Sequence, residues 1–226
     1  MTPFAIAVRA IAAYNLARSM NLTVFGRDHV PRTGPAVLAA RHYHHLFDGA
    51  ALVMGLRRQP HLFVALDWTS SPWERLVMET ACNLADWPVA LRGDNIDRAG
   101  AGAFGASEIR RYVRSSIAKG AALLERGELL AIFPEGYPTI DPAGSRKSAD
   151  DAFLPFAPGL LAIVERAERA LAAPVPILPV GFHYAAAARG RYDVAMRVGP
   201  PLHRGAVPSR AAFTALLEAR VRALSQ

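Results

Sequence analysis

Two runs of five apolar residues, Ala36–Ala40 and Leu129–Phe133, constrain this chain most strongly. Neither alternates with polar residues, and both are short, so each reads as a strand buried on both faces rather than as a surface helix. Each empties into a block of chemically capable side chains. The first leads to Arg41-His42-Tyr43-His44-His45-Leu46-Phe47-Asp48 and the second to Pro134-Glu135-Gly136. Loops at the carboxyl ends of buried strands are where α/β sheets place ligands and catalytic groups.

The remaining pattern supplies the frame. An opening helix spans about 3–20, followed by strands near 22–25 and 36–40 and a helix from about Gly49 to Arg57. A strand is expected over Leu62–Leu66, then a helix capped by Ser71 with Pro72 at its first position. A short strand at Pro88–Leu91 precedes a long helix that starts near a Ser107 cap and stops at Gly127. A polar loop runs from Tyr137 to Ala152, of a length usual for a lid or a binding loop. Then come a helix over 159–172, strands over 175–182 and 192–198, and a closing helix over 209–224. Alternating strands and helices with two adjacent strands near the end predict an α/β fold: a single domain over residues 1–226 with a mixed sheet covered by helices.

Composition narrows the partners. The net charge is +7 and nearly all of the positive charge is arginine, since Lys119 and Lys147 are the only lysines. Such a surface favours anions such as phosphate-bearing substrates or acidic lipid headgroups. Nucleic acid is not expected, because no basic cluster is interleaved with stacking aromatics. The single cysteine, Cys82, excludes an internal disulfide and reads as a buried small hydrophobe. No run of apolar residues is long enough to span a bilayer. Arg9 and Arg18 fall on opposite sides of the opening helix, which leaves it equally suited to packing or to a shallow membrane-surface contact.

A histidine beside a carboxylate is the simplest general base near neutral pH. The carboxylate receives one ring N–H and stabilises the imidazolium, so that the other nitrogen takes a proton from a hydroxyl. His42 with Asp48 provides this if the intervening loop folds back. His44 is the alternative, because its spacing of four from Asp48 places both on one helical face. Glu135, stiffened by Pro134 and the turn at Gly136, is placed to accept a hydroxyl hydrogen bond or to order a cation. Arg92 and then Arg98 are the candidates to hold a phosphate in a planar guanidinium fork.

In this order the motifs resemble the 1-acylglycerol-3-phosphate acyltransferase family. The matching blocks are Gly34-Pro35-Ala-Val-Leu-Ala-Ala-Arg-His42 leading to Asp48, the strand ending at Arg92, Phe133-Pro-Glu-Gly136, and Val175-Pro-Ile-Leu-Pro179-Val-Gly181. Met196-Arg-Val-Gly-Pro200-Pro201-Leu is similar to the family's closing strand and turn. The resemblance implies a glycerol-3-phosphate acyltransferase-like fold. It also implies transfer of a fatty acyl group from acyl-CoA or acyl-carrier protein to a lysolipid or glycerol-phosphate hydroxyl. His42 and Asp48 would be catalytic, and Arg92, Arg98, Glu135 and Gly136 would bind the acceptor. It implies no cofactor beyond the thioester co-substrate, no metal, and a cytoplasmic protein peripheral on the inner face of the cell membrane. Two departures stand out. Five residues separate His42 from Asp48 where the family has four, and Glu135-Gly136 continues as Tyr137-Pro138 where the family often has Thr-Arg. Arg92, Arg98, Arg146 or Lys147 would then supply the phosphate contact.

Two competing functions are carried forward. In a metal-dependent hydrolase, His42, His44, His45 and Asp48 would be the ligands. A non-catalytic lipid- or anion-binding relative would keep the fold without turnover.

Overall fold

A computed structural model of the chain describes residues 3–69, 71–92, 106–141, 145, 147 and 153–226. Its centre is β2 (Ala36–Ala40), every residue of which is buried, flanked by β6 (Leu129–Ile132), equally enclosed. Alternation distributes their side chains to two cores. Ala36, Leu38 and Ala40 with Leu129 and Ala131 face α1 (Pro3–Ser19) and α2 (Phe47–Gly55). Val37 and Ala39 with Leu130 and Ile132 face α4 (Ala106–Glu125), α5 (Gly159–Leu171) and α6 (Arg210–Leu224). The uninterrupted apolar runs are therefore strands with a helical layer on each side.

Among the described residues the main sheet has six strands in the order β1-β8-β7-β2-β6-β3, with β1 at Met20–Phe25, β3 at His61–Leu62, β7 at Ile177–Ala186 and β8 at Tyr192–Val198. All pairs are parallel except β7 with β8, so the sheet is mixed, as the two adjacent strands near the end predict. The register between β2 and β6 sets the site. Ala36 faces Leu129 and Ala39 faces Ile132, and the same offset carried three residues past Ala39 sets His42 beside Glu135.

The strand expected over Leu62–Leu66 divides. β3 joins β6, while β4 (Val64–Ala65) turns away to pair with β5 (Val89–Ala90) in a separate two-stranded sheet. Phe63 marks the handover: its N–H still bonds the Ala131 carbonyl at 2.8 Å, and the next N–H bonds Pro88. Ser71 caps α3 (Pro72–Leu84) as expected, accepting the Glu74 N–H at 3.2 Å. Ser107, expected as a cap, stands inside α4.

The opening helix packs. Ala12 and Leu16 enter the core beside α2, and Arg9 donates to the Val53 carbonyl at 2.7 Å. Cys82 is buried, which raises its thiol pKa to about 11. The closing helix lies against β7 at Gly181, where a Cβ would come within 2.3 Å of the Leu224 backbone. Only glycine permits that approach. Among the described residues no helix is long and apolar enough to cross a membrane.

Candidate active site

His42 follows β2 by two residues, and each of its polar groups is held separately. The backbone N–H donates to Glu135 Oε1 at 2.8 Å. The backbone carbonyl accepts from Lys147 Nζ at 2.7 Å. The ring stacks on Phe133 with 4.3 Å between centroids. Nδ1 meets Asp48 Oδ2 at 3.1 Å, which leaves Nε2 as the nitrogen to take a proton.

Asp48 is completely buried in the first turn of α2. Its Oδ2 also accepts the N–H groups of Tyr43 at 2.6 Å and His44 at 2.9 Å. Oδ1 accepts the Tyr184 hydroxyl at 2.5 Å. Four donors thus surround one buried carboxylate and fix its orientation. Burial first, and then the Asp48 charge, push the Tyr184 phenol far above its ordinary pKa, so it serves as a permanent donor.

These contacts explain how five residues fit between the histidine and the aspartate. The chain curls over Asp48, spending two successive N–H groups on Oδ2. The curl is pinned from outside by the loop after β6: Ile140 N–H bonds the Tyr43 carbonyl at 2.7 Å, and His45 N–H bonds the Ile140 carbonyl at 3.1 Å.

His44, the alternative base, has a different task. Its Nδ1 faces the N–H groups of Leu46 at 3.3 Å and Phe47 at 3.4 Å, where α2 begins. The ring stacks on Phe47 and His45. Burial, with help from the neighbouring imidazoles, lowers its pKa to about 4, so it stays neutral and able to accept. His45 is exposed. The imidazoles of the block therefore do not converge with Asp48 on one point, and among the described residues no group of three or more such side chains is arranged to hold a metal ion. The metal-ligand reading of His42, His44, His45 and Asp48 loses its geometry.

Glu135 is buried, and its contacts run inward. Oε1 takes His42 N–H, and Oε2 takes Leu154 N–H at 3.0 Å and Lys147 Nζ at 2.7 Å. The side chains of Glu135 and Lys147 are both fully enclosed. Burial lowers the Lys147 pKa, opposed by the Glu135 charge. This ion pair clasps both peptide groups of His42. Glu135 and Lys147, expected at the acceptor, are thus engaged with each other and with the His42 backbone.

Gly136 has φ of +75°, a conformation that a side chain would strain, and its carbonyl accepts Arg92 Nη1 at 2.8 Å. Arg92 Nε also meets Asp67 Oδ2 at 2.7 Å, and the guanidinium lies 3.8 Å above the centre of the Tyr137 ring. The second and third blocks therefore meet through Arg92, with Tyr137 in the place where threonine is usual. Arg98 and Arg146 lie outside the described residues.

Sequence reasoning missed Tyr184 and Asp67. The signal for Tyr184 was weak, since its strand was expected to end at Phe182. Asp67 directly follows a short apolar segment, as Arg92 does, and that parallel was available.

A buried carboxylate meets an imidazole at the carboxyl end of a mixed sheet, with an arginine one block away. A family model described as Acyltransferase matches residues 21–183. The chain belongs to the acyltransferase family and is an acyltransferase. Its fold is similar to that of the 1-acyl-sn-glycerophosphate (LPA) acyltransferase PlsC from Thermotoga maritima, with a TM-score of 0.60 at 17% identity, over 97% of this chain and 77% of that one. No curated protein matches the sequence.

Proposed function

We propose that the protein transfers a fatty acyl group from acyl-CoA or acyl-carrier protein to the hydroxyl of a lysophospholipid or glycerol-phosphate acceptor, at the inner face of the cell membrane. The observation that carries this reading is the His42 Nδ1–Asp48 contact, with Asp48 fully buried and otherwise saturated by donors. Asp48 holds the Nδ1–H tautomer, and Nε2 removes the acceptor's hydroxyl proton as the oxygen attacks the thioester carbonyl. A C–O bond forms. The tetrahedral adduct then collapses, the C–S bond breaks, and the proton on Nε2 passes to the departing thiolate. Base assistance of this kind contributes about 10² to 10⁴-fold, and positioning supplies the rest.

Arg92 is the proposed phosphate contact, placed at the junction of the second and third blocks. Glu135 and Lys147 act as scaffolding for His42 rather than as ligands. The solved PlsC enzyme, whose printed name is that of an LPA acyltransferase, supports a glycerophosphate acceptor by likeness of fold. The test is free-thiol release from long-chain acyl-CoA and acyl-carrier protein across a panel of lysolipids and glycerol 3-phosphate. Acceptor-dependent release that His42→Ala abolishes is the expected result. Undiminished release by that variant would remove His42 from the reaction.

A further inference from the structure

Helix α3 packs Met78 and Cys82 inward yet leaves a second apolar face uncovered. Of its three charged residues, Glu74 lies in the first turn, while Arg75 and Glu79 turn toward α4, with Arg75 meeting Glu79 at 2.9 Å, Glu108 at 2.5 Å and the Tyr112 hydroxyl at 3.0 Å. The opposite face carries Trp73, Leu76, Val77, Thr80 and Leu84, spaced along one side of the helix and without a charge among them. Trp73 is 72% exposed and Leu84 61%. Leu76 and Val77 are exposed as well, and Cys82 is the one buried residue of the element. A helix that only docked on a protein core would carry polar residues on this second face.

We infer that this face of α3 is the surface by which the protein docks on a lipid bilayer with anionic headgroups. Three observations select that occupant. Tryptophan is the side chain best suited to the boundary between headgroups and acyl chains, and Trp68, also exposed, stands just ahead of Trp73. Arg111, on the helix against which α3 leans, stands beside Glu108 and Tyr112 with its side chain exposed, and with the net charge of +7 this suits acidic headgroups. A second copy of the chain would bring a net charge of +7 against another +7, so self-association through this face is opposed electrostatically.

Docking there also has a direction. α3 begins five residues after Asp67, the carboxylate that pairs with Arg92. Lipid contact through Trp68 and Trp73 therefore sets the membrane surface at the arginine end of the site, where an acceptor headgroup leaves the bilayer. The inference rests on the reading above for its lipid acceptor, and its test separates the two.

The protein is sedimented with vesicles of phosphatidylcholine alone and of phosphatidylcholine with phosphatidylglycerol. It is compared with Leu76→Glu/Val77→Glu, a double variant at exposed positions that leaves the core untouched. Binding to the anionic vesicles is expected to fall at least about tenfold in the variant, because two charges must then enter the headgroup boundary. Trp73 emission, taken as the difference from Trp73→Phe, is expected to be quenched by lipids brominated on the acyl chain. Transfer to glycerol 3-phosphate in solution is expected to be unchanged, while transfer to vesicle-borne lysolipid falls with binding. A protein without transferase activity that still binds vesicles through α3 would sink the proposed function and support this inference. Unaltered vesicle binding by the double variant, or a dimer that the same variant dissociates, would overturn it.

Discussion

Replacing Glu135 with glutamine separates scaffolding from acceptor binding. The carboxylate accepts three bonds: His42 N–H at 2.8 Å, Leu154 N–H at 3.0 Å and Lys147 Nζ at 2.7 Å. An amide offers a single oxygen and must aim its NH₂ at one of these donors, so one N–H or the ammonium is left facing another donor. Lys147 also loses its counter-charge while fully enclosed. Breaking a buried pair from one side costs about 3–5 kcal/mol. At about 2–4 °C per kcal/mol for a chain of this size, the melting temperature should fall by about 6–20 °C. Thermal unfolding followed by circular dichroism reads this directly. Lys147→Met on top of Glu135→Gln removes both charges, and the double loss should be smaller than the sum of the single ones. A glutamine variant that melts like the parent and raises only the acceptor KM would refute the scaffold argument and return Glu135 to the acceptor.

Two further substitutions test the surroundings of the base. Tyr184→Phe keeps the ring stack on Tyr43 but removes the hydroxyl donor from buried Asp48. A hydrogen bond to a charged group contributes about 1.5–3 kcal/mol, so kcat should fall roughly tenfold or more, with KM little changed and no effect in a His42→Ala background. A rise in KM alone would make Tyr184 a substrate contact instead of a positioning residue. His44 has a folded pKa of about 4 against an ordinary 6.5, so on acidification the unfolded chain binds its proton first. Its contribution is complete above pH 6.5 and is lost as the pH falls toward 4, in total about 3 kcal/mol. His44→Asn keeps an oxygen acceptor at the start of α2 without titrating, and should flatten this part of the profile in urea unfolding at pH 7 and pH 4.5. Equal pH dependence for the two proteins would refute the assignment of this part of the profile to His44.

The layered fold was legible because β2 and β6 are buried on both faces, which imposes apolar residues without interruption and makes each strand visible alone. Partner exchange is not written that way. Leu62–Leu66 reads as one apolar segment, yet its two halves serve different sheets, and the choice depends on where Pro88–Ala90 lies in space. The end of β7 was invisible for the opposite reason. Beyond Phe182 its residues leave the core and are held as a strand by pairing with β8, out to Ala186 against Tyr192. Tyr184 sits in that extension, and so a donor to Asp48 escaped notice.

The carboxylates show how far residue type alone can carry a site. Asp48 comes within 3.1 Å of the His42 ring, because proximity in sequence limits where six positions of chain can go. Glu135 was assigned outward, since a carboxylate in a turn after a strand is as well placed to meet a ligand as to meet the protein. What decides between these is Lys147, twelve positions further along, whose ammonium returns to the turn and closes it. The same closure bears on the spacing between histidine and aspartate. A fixed number of residues matters only insofar as it delivers the ring to the carboxylate. Here the extra residue is absorbed by backbone N–H groups that Asp48 itself accepts, while Glu135 and Lys147 fix the peptide groups on either side of the His42 Cα. The motif length is free to vary because the geometry is enforced from the neighbouring strand.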